Sequence, residues 1–193
     1  MRIVYIHGAK ASSRSFAYIQ KNLKAKDALF VEYEHEQSAF DNLAEMTDII
    51  SNIKEPIFYI THSLGGVYAI YLQNTIKNSA MAVSLATPFG GSEIAVWSRM
   101  FLPHYQLFTD IVPNSDFIKG SRDIPIRIPW TQVVTTDGEV PWLRGPNDGI
   151  VTRDSMLCRS DEMDTIEVDR NHYEIVQSQR VVELIKEKIT KKG

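Results

Sequence analysis

Cysteine is almost absent from this chain. Cys158 is the only one in 193 residues, so no internal disulfide can form and stability must come from a packed core. Long hydrophobic runs are missing too. The N-terminal run Ile3-Val4-Tyr5-Ile6 stops at a His-Gly pair, well short of the roughly 20 apolar residues of a spanning helix and of a signal-peptide core. These absences lead to the expectation of a reducing, cytoplasmic setting without stable membrane insertion. Nor does one sign of charge dominate: the formal net charge is -3, which argues against the basic footprint of a nucleic-acid binder. Partners must be sought in a site rather than in bulk charge. The chain also lacks H-E-x-x-H, paired C-x-x-C, G-x-x-x-x-G-K, and a G-x-G-x-x-G after a strand, so no metal or cofactor is implied. The run Glu32, Glu34, His35, Glu36 reads as a solvated strand end rather than a metal site.

What is present is an ordinary globular composition, 44% hydrophobic and 23% charged, over a length that suits one domain spanning 1–193. Short apolar runs rich in β-branched and aromatic residues recur at 2–6, 28–33, 57–61, 80–86, 131–136 and 165–169, and each reads as a strand. Between the early ones lie stretches of helical period. Phe16, Ile19 and Leu23 follow Ser12-Ser13; Phe40, Leu43, Ile50 and Ile53 follow Ser38; then come Val67, Ile70 and Tyr71. Near the end, Val182, Ile185 and Ile189 share one face of a docked amphipathic helix. Such alternation predicts an α/β fold, a mostly parallel sheet of about six strands between helical layers. Residues 92–129 keep neither period for long although Trp97, Met100, Phe101, Leu102, Phe108, Ile111, Val112, Phe117 and Ile118 are all apolar. Two readings stand open there: a cap over a pocket, or helices that merely cover the sheet.

The stretch Ile57-Phe58-Tyr59-Ile60-Thr61-His62-Ser63-Leu64-Gly65-Gly66 places a serine between a strand and a helix. A serine hydroxyl is a weak nucleophile until a base takes its proton, and it must stand clear of the backbone for a carbonyl to approach. A sharp strand-turn-helix corner provides that clearance, with small residues two before and two after the serine. Gly65 and Gly66 relieve the helix side, whereas Thr61 stands where the first glycine of G-x-S-x-G is usual. The bulk of Thr61 predicts a slightly widened corner with Ser63 still exposed. The competing reading makes Ser63 only a helix cap.

Upstream, Tyr5-Ile6-His7-Gly8-Ala9-Lys10 ends the first strand in a His-Gly pair. Downstream, Thr87-Pro88-Phe89-Gly90-Gly91-Ser92 follows the fourth strand. Together with the elbow, these stretches resemble the α/β-hydrolase superfamily, in particular small lipases and esterases similar to the GPI inositol-deacylase-like lipase group. The resemblance spans most of the chain but leaves about 93–129 unmatched, the region of a short cap insertion. It implies an oxyanion hole made by the backbone N–H groups of Leu64 and Ala9, with His7 supporting its loop and Ser92 shaping another.

In this fold the partners follow in the order serine, acid, histidine. Of five histidines, only His172 lies after the last predicted strand and before the last helix, where the family keeps its base. Imidazole titrates near neutrality, as that task requires. Two Asp-Gly pairs compete for the acid. Asp148 in Asn147-Asp148-Gly149-Ile150-Val151 resembles the family's D-G-V-V segment and is preferred. Asp137, followed by Glu139 in a hairpin-like turn, is the alternative. The resemblance thus implies a serine esterase or lipase with Ser63, Asp148 and His172 as its triad, acting on a small-molecule or lipid acyl ester without a cofactor. Thioester or amide hydrolysis, acyl transfer, and a non-catalytic binding module are the alternatives.

Overall fold

The computed structural model describes residues 1–25, 27–102 and 104–191. Six strands form one sheet: β1 (Arg2–Ile6), β2 (Ala28–Val31), β3 (Ile57–His62), β4 (Ser79–Leu85), β5 (Trp130–Thr135) and β6 (Asp164–Val168). Their order is β2-β1-β3-β4-β5-β6, and every neighbouring pair is parallel. All six expected strands are present, with ends shifted by one or two residues. The largest shift is in β2, which stops at Val31 because Tyr33 turns away to donate its hydroxyl to the His7 carbonyl.

Both faces of the sheet are covered, so its central strands are buried almost throughout and mainly apolar rather than alternating. Ile3 and Tyr5 of β1 pack with Phe58 and Ile60 of β3 on one face, under α1 (Ala17–Leu23) and the C-terminal helix Gln179–Thr190. Val4 and Ile6 pack with Ile57 and Tyr59 on the other, under α2 (Ala39–Ser51) and α3 (Leu64–Thr75). The chain therefore changes face between β1 and β3. Open parallel sheets carry their ligand crevices at such a switch point, beyond the carboxyl ends of the strands.

Ser38 caps α2 by accepting from the Asp41 amide, as its position predicts. The buried face of α2 differs from the expected one: it consists of Ala39, Asn42, Met46 and Ile50, while Phe40 is 49% exposed. Asn42 is drawn inward because its side chain bonds both backbone groups of Glu34.

Residues 92–129 divide between the two readings. Helices α4 (Glu93–Phe101) and α5 (Gln106–Asp110) lie over a cavity, to which they contribute Ile94, Ala95, Ser98 and Phe108. Helix α6 (Asp116–Asp123) instead buries Phe117 and Ile118 in the core beside α3. Its C-terminal end is held by the buried Arg159, whose guanidinium donates to the carbonyls of Ser121 and Ile124. A four-residue helix, α7 (Arg153–Met156), follows β5, and α8 (Gln179–Thr190) closes the chain against α1. No helix among the described residues is long and apolar enough to cross a membrane.

Candidate active site

Between β3 and α3 the chain turns through Ser63 at φ 52° and ψ -126°. A non-glycine residue pays about 1–3 kcal/mol for such backbone strain, so the surroundings must hold it there. The Ser63 amide donates to the Leu85 carbonyl at 2.8 Å, and its own carbonyl accepts from Gly66 at 3.0 Å. Helix α3 meanwhile presses against β1 so closely that a Cβ on Gly65 would stand 2.1 Å from the Ile6 carbonyl oxygen. Ser63 is half-buried, and its side chain makes no capping hydrogen bond to α3. The helix-cap reading fails on that point.

Thr61 fits without disturbing the strand. The register of β3 runs unbroken through Thr61 against Ile6 and Ser84, and its one irregularity lies at the far end, at Ile57/Phe58. The extra bulk is buried within the packing, where the Thr61 hydroxyl has no hydrogen-bond partner among the described residues.

Ser63 opens into a cavity of about 520 Å³ whose wall also includes Gly8, Ala9, Leu64 and His172. Gly8 is needed where it stands, since a Cβ there would come 2.8 Å from the Ser63 Cβ. Pro88 and Ser92 reach the same wall, which puts the Thr87–Ser92 loop beside the serine. His7 lies outside that wall and is buried against the segment that follows β2. Its Nδ1 donates to the Gly8 carbonyl, its ring stacks on Tyr33, and its Nε2 is 3.0 Å from a Glu32 carboxylate oxygen. Burial lowers the His7 pKa, against the raising effects of the Gly8 carbonyl and the Glu32 charge.

His172 follows β6, and its Nδ1 lies 2.8 Å from Asp148 Oδ2. The same Asp148 oxygen accepts from the Thr135 hydroxyl at 2.5 Å. The other oxygen accepts the Ile150 and Val151 amides at 3.1 and 2.7 Å. A main-chain bond from the His172 amide to the Asp148 carbonyl ties the two segments a second time. Burial by itself would raise the Asp148 pKa, but the hydrogen bond and charge of His172, with the bonds from Thr135 and Val151, outweigh it and hold the carboxyl below its ordinary range. An ionised carboxylate only accepts, so His172 carries a proton on Nδ1, and in the neutral ring Nε2 is then the acceptor. Asp137 takes no part in this cluster: it is exposed, and its carboxylate accepts the amide of its own neighbour Gly138.

Three supporting residues escaped the reading of the sequence. Asn147 pins the acid loop through bonds with Val140, Gly145 and Gly149. Thr135, at the end of β5, holds the acid itself. His62 donates from Nε2 to the His172 carbonyl at 2.8 Å. Only Thr135 left a signal, as the polar end of an apolar strand.

No protein-family model and no curated protein matches this sequence. Solved structures do match in three dimensions. A mature lipase of Bacillus licheniformis, BlEst2, superposes with a TM-score of 0.77 at 18% identity, covering 97% of this chain and 91% of its own. Tomato methylketone synthase I, solved with 2-tridecanone, gives 0.67 at 12% identity and covers 98% of each chain. An extracellular α/β-hydrolase from a Paenibacillus species gives 0.63 at 13%, covering 97% of this chain and 98% of its own. The chain has the α/β-hydrolase fold.

Proposed function

We propose that this protein is a serine hydrolase that cleaves carboxylic ester bonds through Ser63, His172 and Asp148. One observation carries the reading: a strained, uncapped serine shares a cavity with a histidine whose Nδ1 is held by a buried carboxylate. Fold alone does not confer an activity, so the argument rests on that cluster.

In the proposed reaction the Ser63 oxygen attacks the ester carbonyl while His172 Nε2 takes its proton. The negative charge that develops on the carbonyl oxygen faces the N–H groups of Ala9 and Leu64, the second of which begins α3 and has no partner within that helix. Collapse expels the alcohol, which receives the proton from His172. Water then attacks the acyl-enzyme by the same route and releases the acid. Asp148 keeps His172 in the productive tautomer and stabilises the imidazolium that forms.

Two stretches support the narrower kinship with lipases of the GPI inositol-deacylase-like group: Thr87–Ser92 beside the cavity, and Asp148-Gly149-Ile150-Val151 beneath it. The exposed, unpaired Cys158 accords with a reducing, cytoplasmic compartment. The test is labelling with a fluorophosphonate probe followed by peptide mapping. Label on Ser63 that disappears in Ser63→Ala and His172→Ala is the expected result. Folded wild-type protein that resists the probe would support the non-catalytic module instead.

A further inference from the structure

The cavity around Ser63 has a charge pattern that ester hydrolysis does not require. Its wall includes two permanent cations, Lys10 and Arg14, and no Asp or Glu, although the chain as a whole is net negative. Neither cation has an ion-pair partner within 4.0 Å among the described residues. The acids on neighbouring elements, Glu32, Glu93 at the start of α4 and Glu174 two residues beyond His172, lie outside the wall; Glu32 accepts the Ser13 amide beside Arg14 and sits 3.0 Å from His7 Nε2, yet pairs with neither cation. A surface this close to neutral usually intersperses its signs. Both side chains are exposed, so the two unpaired cations stand free at one cavity to meet a ligand.

The position of Lys10 is built rather than incidental. It directly follows Ala9, the proposed oxyanion donor, and its backbone stands in the left-handed region at φ 56°, a conformation that costs free energy in a lysine. Its ammonium lies 4.9 Å from the centroid of the Tyr105 ring and 5.5 Å from that of Phe108, itself part of the cavity wall. Aromatic faces hold a cation in place without consuming its N–H donors. Arg14 stands four residues on, in the turn Ser13–Phe16 that leads into α1, and offers the planar fork that suits carboxylate or phosphate. The cap supplies one apolar part of the wall, Leu64, Ile150, Val151 and Val176 supply another, and the cationic part comes from the segment between β1 and α1.

We propose that the natural substrate is an anionic ester, bearing a carboxylate or phosphate group that Lys10 and Arg14 bind. This rests on the hydrolase reading and narrows it to a substrate class. Charge-assisted hydrogen bonds are about twice as strong as neutral ones, and both cations remain partly in water. A preference of about tenfold in kcat/KM is the expected size, decreasing as added salt screens the exposed charges.

The test measures kcat/KM for three soluble esters of equal length: a neutral one, one with a terminal carboxylate on the acyl part, and one with a phosphate on the alcohol part. Wild type should prefer at least one anionic ester about tenfold, and which one it prefers tells the side of the scissile bond on which the charge sits. In Lys10→Gln/Arg14→Gln the ratio of anionic to neutral should fall toward one, while Lys10→Arg and Arg14→Lys should preserve it. Equal rates on all three esters, or a ratio that survives in the double variant, would overturn the inference while leaving the hydrolase standing. No hydrolysis of any ester, together with no fluorophosphonate label, would overturn both.

Discussion

His62 donates from Nε2 to the main-chain carbonyl of His172 at 2.8 Å, across 110 positions of sequence. A carbonyl only accepts, so Nε2 holds the proton, and the ring stays neutral because burial, with His172 nearby, lowers its pKa to about 3. The residue before the proposed nucleophile thereby fixes the backbone of the proposed base. His62→Leu should leave that buried carbonyl unpaired, cost about 1–3 kcal/mol of stability and lower kcat roughly tenfold with KM little changed. His62→Gln, which keeps an N–H donor, should recover part of the kcat. Steady-state kinetics with urea denaturation separate the two effects, and loss of stability without loss of kcat would reduce His62 to a packing residue.

The same group sets a pH dependence of stability. Unfolded His62 takes up a proton near its ordinary pKa of about 6.5, whereas the folded protein resists until about pH 3. Between these values the unfolded state binds more protons, so the stabilisation is complete above about pH 6.5 and decreases as pH drops toward 3. At pH 5 the loss from His62 alone is about 2 kcal/mol. His7, also lowered by burial, acts in the same direction. Urea midpoints at pH 7.5 and pH 5 should differ accordingly, and the difference should narrow in His62→Leu. A midpoint independent of pH over this range would contradict the buried neutral ring.

Asp148 and Asp137 separate cleanly by their partners. The Asp148 carboxylate bonds His172 Nδ1 and is itself held by Thr135, Ile150 and Val151, whereas among the described residues the Asp137 carboxylate accepts the amide of its neighbour Gly138 and does not meet His172. Asp148→Asn should reduce kcat by roughly 10³–10⁴-fold, the scale seen when a triad loses its acid and with it the tautomer. Asp137→Asn should stay within about twofold of wild type. Turnover of a p-nitrophenyl ester by the two variants decides the matter, and the opposite pattern would reassign the acid.

The sheet was legible because full coverage of both faces leaves mainly apolar runs, and the places of Ser63 at the corner between β3 and α3 and of His172 between β6 and α8 were legible from the strand and helix patterns around them. Contacts between distant segments were not. Nothing local marks His62 as a partner of His172, and nothing in α2 announces that Asn42 faces inward while Phe40 faces out. In that helix a side-chain bond to the Glu34 backbone overrides the apolar period. The cap was ambiguous for a related reason: the two fates of residues 92–129 depend on whether a helix meets the sheet or the cavity.

The cap makes a prediction about the acyl chain. Ile94, Ala95, Leu102, Phe108 and Ile111 form an apolar part of the cavity, and each buried methylene contributes about 0.8 kcal/mol. Across p-nitrophenyl acetate, butyrate and hexanoate, kcat/KM should rise by severalfold per step. A flat or declining series would mean that the acyl group does not enter that part of the cavity.

Thr61 allows a test of the elbow by stability alone. Its side chain is fully buried and its hydroxyl has no partner among the described residues. A buried hydroxyl without a hydrogen bond costs about 1–3 kcal/mol relative to an apolar group of the same shape. Valine has that shape, and the β-branched residue suits the strand that Thr61 occupies. Thr61→Val should therefore be at least as stable as wild type, by about 1 kcal/mol in urea denaturation, and should leave the strand register and the Ser63 turn in place. Thr61→Gly, which restores the residue usual at this corner, should do the opposite: it removes buried methyl contacts and loosens the chain, costing about 1–3 kcal/mol. If valine proves the destabilising change instead, the Thr61 hydroxyl is engaged in the folded protein, and the glycine usual at this corner has been replaced for a polar contact rather than for bulk.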